Sequence, residues 1–224
     1  MNESARSRLK GLSLLELIFV VAIILIVAGI AVPTISTAIR TARLRGTAVG
    51  YANLLQTARS LAINDDRFYS VYVQPGSDVT TPVAYVDVYP RSLNGTSGLG
   101  PPPTGHYSPG PPADPMTTVP TEVVLQPVGS APNPAGLNAL FCASCTPELI
   151  LNTPPAWGPD GMPCRSKASI DGAGMVCNAS GGPVAYVTYF QSSVSGQWSA
   201  VTISPAGRVK AWYYAPGAGQ WTAQ

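Results

Sequence analysis

The sequence predicts an α+β fold, a long N-terminal α-helix packed on an antiparallel β-sheet body, and three observations predict it. Residues 12–32, LSLLELIFVVAIILIVAGIAV, carry a single charge in twenty-one positions. Directly after them, apolar residues recur at helical spacing to about Asn64. From Phe68 onward the period switches to two, the alternation of half-buried strands. A helix with one apolar stripe and a sheet with one apolar face each need a partner to cover them, and here they supply it to each other.

The elements follow in order. Residues 1–11 form a short basic leader, with Arg6, Arg8 and Lys10 against Glu3. Since the chain has 13 basic and 11 acidic residues, ten of each remain beyond it, and the body is neutral. That balance argues against a broad nucleic-acid footprint while leaving room for a small basic patch. Residues 12–32 reach about 30 Å as a helix, the thickness of a bilayer core. Their basic flank predicts that the leader stays in the cytoplasm and the C-terminal body is sent outward. A cleavable secretory signal is the competing reading, with small residues in GIAVP. The run is long for such a signal, however, and lacks a polar segment behind it.

Pro33 is expected to bend the helix without ending it, because a helical pattern resumes at once. Residues 33–66 read as an amphipathic helix with Ile35, Ile39, Ala42, Val49, Ala52, Leu55, Ala58 and Ala62 on its packing face. Arg40, Arg43 and Arg45 read as a solvated face near its start, and Asn64-Asp65-Asp66 closes it. The body, 67–224, opens with a hairpin of FYSVYV (68–73) and VAYVDVY (83–89). TEVVLQ (121–126) is a third strand. PVAYVTYF (183–190), QWSAVTIS (197–204) and RVKAWYY (208–214) form a closing meander.

Two stretches interrupt the strands. Residues 92–120 are rich in Gly, Pro and Ser, bury little apolar surface, and read as an extended surface loop. His106, the one histidine, lies in it without a chemical partner nearby in sequence. Residues 142–182 hold all four cysteines and read as an irregular excursion stapled by disulfides. Four cysteines allow three pairings, and Cys142–Cys145 with Cys164–Cys177 is preferred because each closes a short loop. CASC also has metal-ligand spacing, but the second pair does not, so no metal or other cofactor is expected. Asn94 and Asn178 stand in glycosylation acceptor patterns that recur often by chance.

Neither a nucleophile motif, a Gly-rich phosphate loop after a strand, nor a carboxylate pair at useful spacing is present, so an enzyme is not expected. Asp160-Gly161 and Asp171-Gly172 read as turns. The low charged fraction, 11%, with 22 Gly and 23 Pro, suits an envelope protein with long loops.

The oddity is Glu16, a carboxylate inside the apolar run, where an unpaired charge costs several kcal/mol. A basic leader ending in Gly11, an apolar residue next, and a glutamate four positions later resembles the class III signal of type IV pilins and pseudopilins. KGLSLLELIFVVAIILIVAGIAVP matches it through Pro33. The resemblance implies that a prepilin peptidase cuts between Gly11 and Leu12 and methylates the new Leu12 amine. Leu12 itself departs from the family's usual phenylalanine. Glu16 then lies one turn from that amine, and in a filament it can pair with the amine of a neighbour, fixing axial register. Before assembly it can also snorkel to the headgroups.

AVTISPAGRVKAWYY resembles the closing strands of the GspH/FimT family of minor pilins and pseudopilins. The two resemblances together imply a subunit held in the bacterial inner membrane with its body in the periplasm, then moved into a type IV pilus or type II secretion pseudopilus near its tip. The implied partners are other pilin subunits, the peptidase, the inner-membrane assembly platform and lipid. Some relatives bind DNA through a GRxR motif. Here it reads Gly207-Arg208-Val209-Lys210, and Arg208 and Lys210, two apart on a strand, share a face that can meet two phosphates. Trp212, Tyr213 and Tyr214 are available either to stack on bases or to pack the sheet. DNA capture and a non-polymerising single-pass envelope protein are the alternative readings.

Overall fold

The computed structural model describes residues 14–74, 83–88, 92–93, 96–97, 115–126, 128–149, 155–166, 175–177 and 184–224. One helix, α1, runs Leu14–Asp65 and continues through position 33. Asp66, at φ 53°, takes the left-handed conformation that ends a helix, so the Asn-Asp-Asp stop is where the sequence placed it. By its contacts the chain divides between Ile39 and Arg40 into two units.

The body carries β1 (Tyr69–Gln74), β2 (Val83–Val88), β3 (Ser92–Leu93), β4 (Thr96–Ser97), β5 (Met116–Thr118) and β6 (Val123–Gln126). Then come helix α2 (Pro134–Phe141), β7 (Glu148–Leu149), β8 (Ala156–Trp157), β9 (Pro163–Ser166) and β10 (Met175–Cys177). It closes with β11 (Tyr186–Ser192), β12 (Trp198–Ile203), β13 (Val209–Ala215) and β14 (Gln220–Ala223). The first sheet runs β10-β9-β8-β1-β2-β5, the second β14-β13-β12-β11-β6 with β7 parallel to β11, and β3 pairs β4. Both anticipated pairings are present: the hairpin sets Tyr69 opposite Val88, and β11, β12 and β13 form an antiparallel meander.

The packing stripe of α1 is Leu44, Ala48, Tyr51, Leu55, Ala58 and Ala62, all 0% exposed. This corrects half of the expected face. Ala52, Leu55, Ala58 and Ala62 are buried, but Ile35, Ile39, Ala42 and Val49 are exposed. The apolar residues before Arg40 pulled the sequence register toward their own face, and Leu44, flanked by Arg43 and Arg45, did not look like core. Alanines at 48, 58 and 62 bring the backbone of α1 close to the sheets, while Tyr51 meets the Phe190 ring edge-on at 5.4 Å.

Period two then sorts each strand. On β11 and β12, Tyr186, Phe190, Val201 and Ile203 join the α1 core, while Val187, Tyr189, Trp198 and Ala200 face a second core with Leu137 of α2. Helix α2 was not read from the sequence. Its signal is Asn133-Pro134: the Asn133 side chain caps Gly136 N–H at 3.0 Å and Pro134 fills the first turn, where no amide donor is needed.

The stretch 142–182 is corrected as well, because it gives β8, β9 and β10 to the first sheet. These strands of two to four residues are too short for a period to show. Likewise β5 lies within 92–120 and pairs β2, so the end of that stretch is sheet and not loop. Residues 98–114, with His106, lie outside the described residues, as do Asn94, Asp171 and Asn178.

Burial pushes the Tyr189 hydroxyl up to about 12, and burial raises Tyr51 as well. A tyrosine that binds its proton more tightly when folded stabilises the fold fully below pH 10, and that stabilisation is lost as pH climbs above it. Alkaline unfolding is therefore expected to steepen above pH 10, by about 1.4 kcal/mol per pH unit for each tyrosine. Urea titrations between pH 8 and 11.5 check this, and a midpoint that stays flat across that range contradicts it.

Candidate functional site

Every residue from Leu14 to Ile30 is exposed, and the helix is long and apolar enough to cross a membrane. Such a surface has no stable existence in water and needs lipid or protein around it. Glu16 lies in the first turn of the described helix. It is the sole carboxylate between Glu3 and Asp65, so the apolar segment is marked by one acid at one end. Gly11 and Leu12, the expected cleavage pair, lie outside the described residues.

Where α1 enters the body, its arginines are engaged by the sheets. Arg43 Nη1 bonds Glu122 Oε1 at 3.1 Å, and the Arg45 guanidinium sits 4.0 Å above the Tyr213 ring. Thr41 Oγ1 donates to Gln197 Oε1 at 2.7 Å. The expected solvated arginine face is thus partly a docking face for the second sheet. The sequence placed these arginines near the membrane but carried no sign of Glu122 or Tyr213 as partners, because both lie far away along the chain, one in the turn before β6 and one on β13.

The Gly-Arg turn is the other expected site. Gly207 is buried at φ 75°, and its carbonyl accepts from Arg59 Nη1 at 3.0 Å. An added Cβ there meets Gly161 O at 2.9 Å and the Trp157 ring at 3.3 Å. Gly161 itself stands at φ 72° in the Asp160 turn, where Asp160 Oδ1 accepts from Met162 N–H at 3.0 Å. Two left-handed glycine turns, one beside each sheet, therefore converge on Arg59 of α1. Arg59 was not singled out in the sequence, because a lone helical arginine has no local signature.

Arg208 and Lys210 are both exposed, as expected of strand residues two apart. Arg208 stands just before β13, and Lys210 pairs with Thr202 of β12, while β14 pairs with β13 only from Trp212 onward. The neighbouring aromatics are committed to packing. Trp212 is 5% exposed and donates to Thr202 Oγ1 at 2.8 Å, while the Tyr214 ring lies 5.3 Å from the Trp221 ring, tilted 59° to it. Lys210 Nζ rests 4.7 Å from the Trp212 ring. The turn thus offers two cations without a free stacking platform.

Cys142 and Cys145 form a disulfide at the end of α2. Cys164 is disulfide-bonded too, and Cys177 stands directly opposite it in the β9–β10 register. Opposed residues of an antiparallel pair lie about 4.5–5.5 Å apart, within disulfide reach. No group of three metal-ligating side chains is gathered among the described residues.

No protein-family model, curated protein or solved structure matches the chain.

Gly207→Ala is expected to destabilise the body by about 2–4 kcal/mol, through positive-φ strain and the contact with the Gly161 carbonyl. Arg208→Gln, on the exposed neighbour, is expected to stay within about 0.5 kcal/mol of the parent. Urea unfolding of the detergent-solubilised chain compares them, and equal stability of the two variants removes the structural role given to the turn.

Proposed function

We propose that the chain is a minor pilin-like subunit, made as a prepilin and held in the bacterial inner membrane by its apolar helix. In this reading it is later moved into a type IV pilus or a type II secretion pseudopilus. The observation that carries the reading is the arrangement Gly11-Leu12 followed by Glu16 at the head of an apolar helix whose continuation packs on a β body. Cleavage after Gly11 places a positive amine one helical turn from Glu16. A neighbour's amine offsets the cost of the carboxylate in a dry helical bundle, and the pair sets how far one subunit is shifted along another.

The chemistry asked of the chain is assembly. The apolar helix supplies the filament core, and the β body serves initiation or recognition at the tip. The partners are other subunits, the prepilin peptidase that processes the leader, the inner-membrane assembly platform, and lipid before assembly. DNA capture has less support, since Arg208 and Lys210 stand exposed but Trp212 beside them is buried. Two cations alone give weak binding with a log–log salt slope near −2.

Mass spectrometry of the mature protein is expected to find a chain beginning at methylated Leu12. An intact Met1, or a cut near Ala31, overturns the reading. Glu16→Ala is expected to leave membrane insertion unchanged and to reduce incorporation into filaments by at least about tenfold, the effect of losing 1.4 kcal/mol at each contact. Normal incorporation of that variant removes the role given to Glu16 in register.

A further inference from the structure

Charge is unevenly placed where α1 enters the body. Arg40, Arg43 and Arg45 stand close together there, and α1 holds no acid between Leu17 and Asn64. Arg40 and Arg43 are three apart, so they are neighbours on the helix surface, and like charges at that spacing repel. Among the described residues a single carboxylate answers them. Glu122 Oε1 accepts from Arg43 Nη1 at 3.1 Å, and even so the Arg43 side chain is 59% exposed. The ring under Arg45 leaves that guanidinium its charge, and no described carboxylate pairs with Arg40. Three cations thus face one anion.

An exposed apolar tip stands beside them. Ser193 N–H donates to Glu122 O at 2.8 Å, and Thr41 Oγ1 donates to Gln197 Oε1 at 2.7 Å. The β11–β12 turn, 193–197, is therefore held next to the arginines at both of its ends. It carries no charge, and Val194 within it is 54% exposed. Cations around an apolar tip, with the acid already engaged, compose a surface that suits anionic lipid. The chain also keeps such lipid within reach. Arg40 follows Val32, the end of the apolar run, by eight residues, which span about 29 Å at most when fully extended. That bound holds for any arrangement of the two units. Three cations free in solution bind a charged surface weakly, whereas a tether to the same bilayer makes the encounter intramolecular.

We propose that this patch docks the body on anionic phospholipid headgroups of the leaflet from which the helix emerges. The arginines lie against lipid phosphate and Val194 enters the interface between headgroups and acyl chains. Phosphate supplies the anions that the fold does not, and the turn supplies the apolar contact that keeps the docked body oriented. The proposal deepens the membrane-held reading by naming the surface and the lipid class. It rests on that reading for the membrane anchor alone, and neither cleavage after Gly11 nor filament assembly enters it.

The test uses the full-length chain at one copy per nanodisc, so that no neighbouring protein covers the patch. A fluorophore is attached at Val194→Cys, and for the control at Ala206→Cys, exposed in the β12–β13 turn next to the glycine that Arg59 holds. The discs hold phosphatidylcholine, with or without phosphatidylglycerol, and a trace of phosphatidylcholine bearing a nitroxide quencher on its headgroup. Time-resolved fluorescence gives the ratio of quenched to unquenched chains. Phosphatidylglycerol is expected to raise that ratio for the Val194 label and not for the Ala206 label. Arg40→Gln, which leaves the Arg43–Glu122 and Arg45–Tyr213 contacts in place, is expected to lower it about fivefold, and Arg40→Lys to keep it within about twofold of the parent. Raised salt is expected to lower it as well. Quenching that is the same with and without phosphatidylglycerol overturns the proposal, because the tether alone then accounts for it. Absent quenching at Val194, or equal quenching at Ala206, overturns it too. Failure here leaves the subunit reading standing, since that reading is decided by the mature N-terminus. Lipid-dependent quenching in a chain that is never cut after Gly11 removes the subunit reading and keeps the docking surface.

Discussion

The fold of the body hangs on the stripe from Leu44 to Ala62. Two sheets that share no strand converge on it, the first through Val71, Val86 and Trp157 and the second through Phe190, Val201 and Ile203. Without that stripe each sheet exposes an apolar face. The stripe is mostly alanine where it must be thin and Tyr51 where it must fill, so its work is shape as much as hydrophobicity. A larger side chain at Ala48 or Ala58 has no room to enter between a helix backbone and a pleated sheet.

What could be read in the sequence followed from how far each signal extends along the chain. The apolar run, the β1–β2 hairpin and the β11–β13 meander each repeat a period over six or more residues, and each was legible. The register of α1 was only half legible, because Ile35, Ile39, Ala42 and Val49 form a coherent stripe of their own. A sequence contains both stripes and does not say which one meets the sheets. The strands β8, β9 and β10 were hidden for another reason. Two to four residues among prolines, glycines and cysteines become strands only because β1 offers an edge to pair with. For the candidate sites, Glu16 was visible as an exception to its surroundings, whereas Arg59, Glu122 and Tyr213 matter only through partners far away in sequence.

The Gly-Arg turn shows how a motif changes meaning when its surroundings are known. In sequence it reads as a pair of cations after a flexible residue. In the fold the glycine is the fixed part, since its φ of 75° and the carbonyl contact at Gly161 exclude a side chain, and its own carbonyl is taken by Arg59. The turn therefore locks the β12–β13 connection, the Asp160 turn and the helix to one another. The two cations are what remains exposed after that structural demand is met.

The apolar half of α1 sets the physical limit on how this chain can exist. Thirteen large apolar side chains between Leu14 and Ile30 stand exposed. At about 1.5 kcal/mol each, leaving them in water costs about 20 kcal/mol, more than the 5–15 kcal/mol that holds a typical domain together. The segment is thus confined to apolar surroundings, whether lipid or protein, and does not stand in water. Between one apolar setting and another the hydrophobic term is nearly equal and favours neither. The choice between such settings falls to smaller polar differences, and the one charge in the apolar run, Glu16, lies near its end. A single glutamate near one end of such a helix is therefore enough to bias a choice that its hydrophobicity leaves undecided.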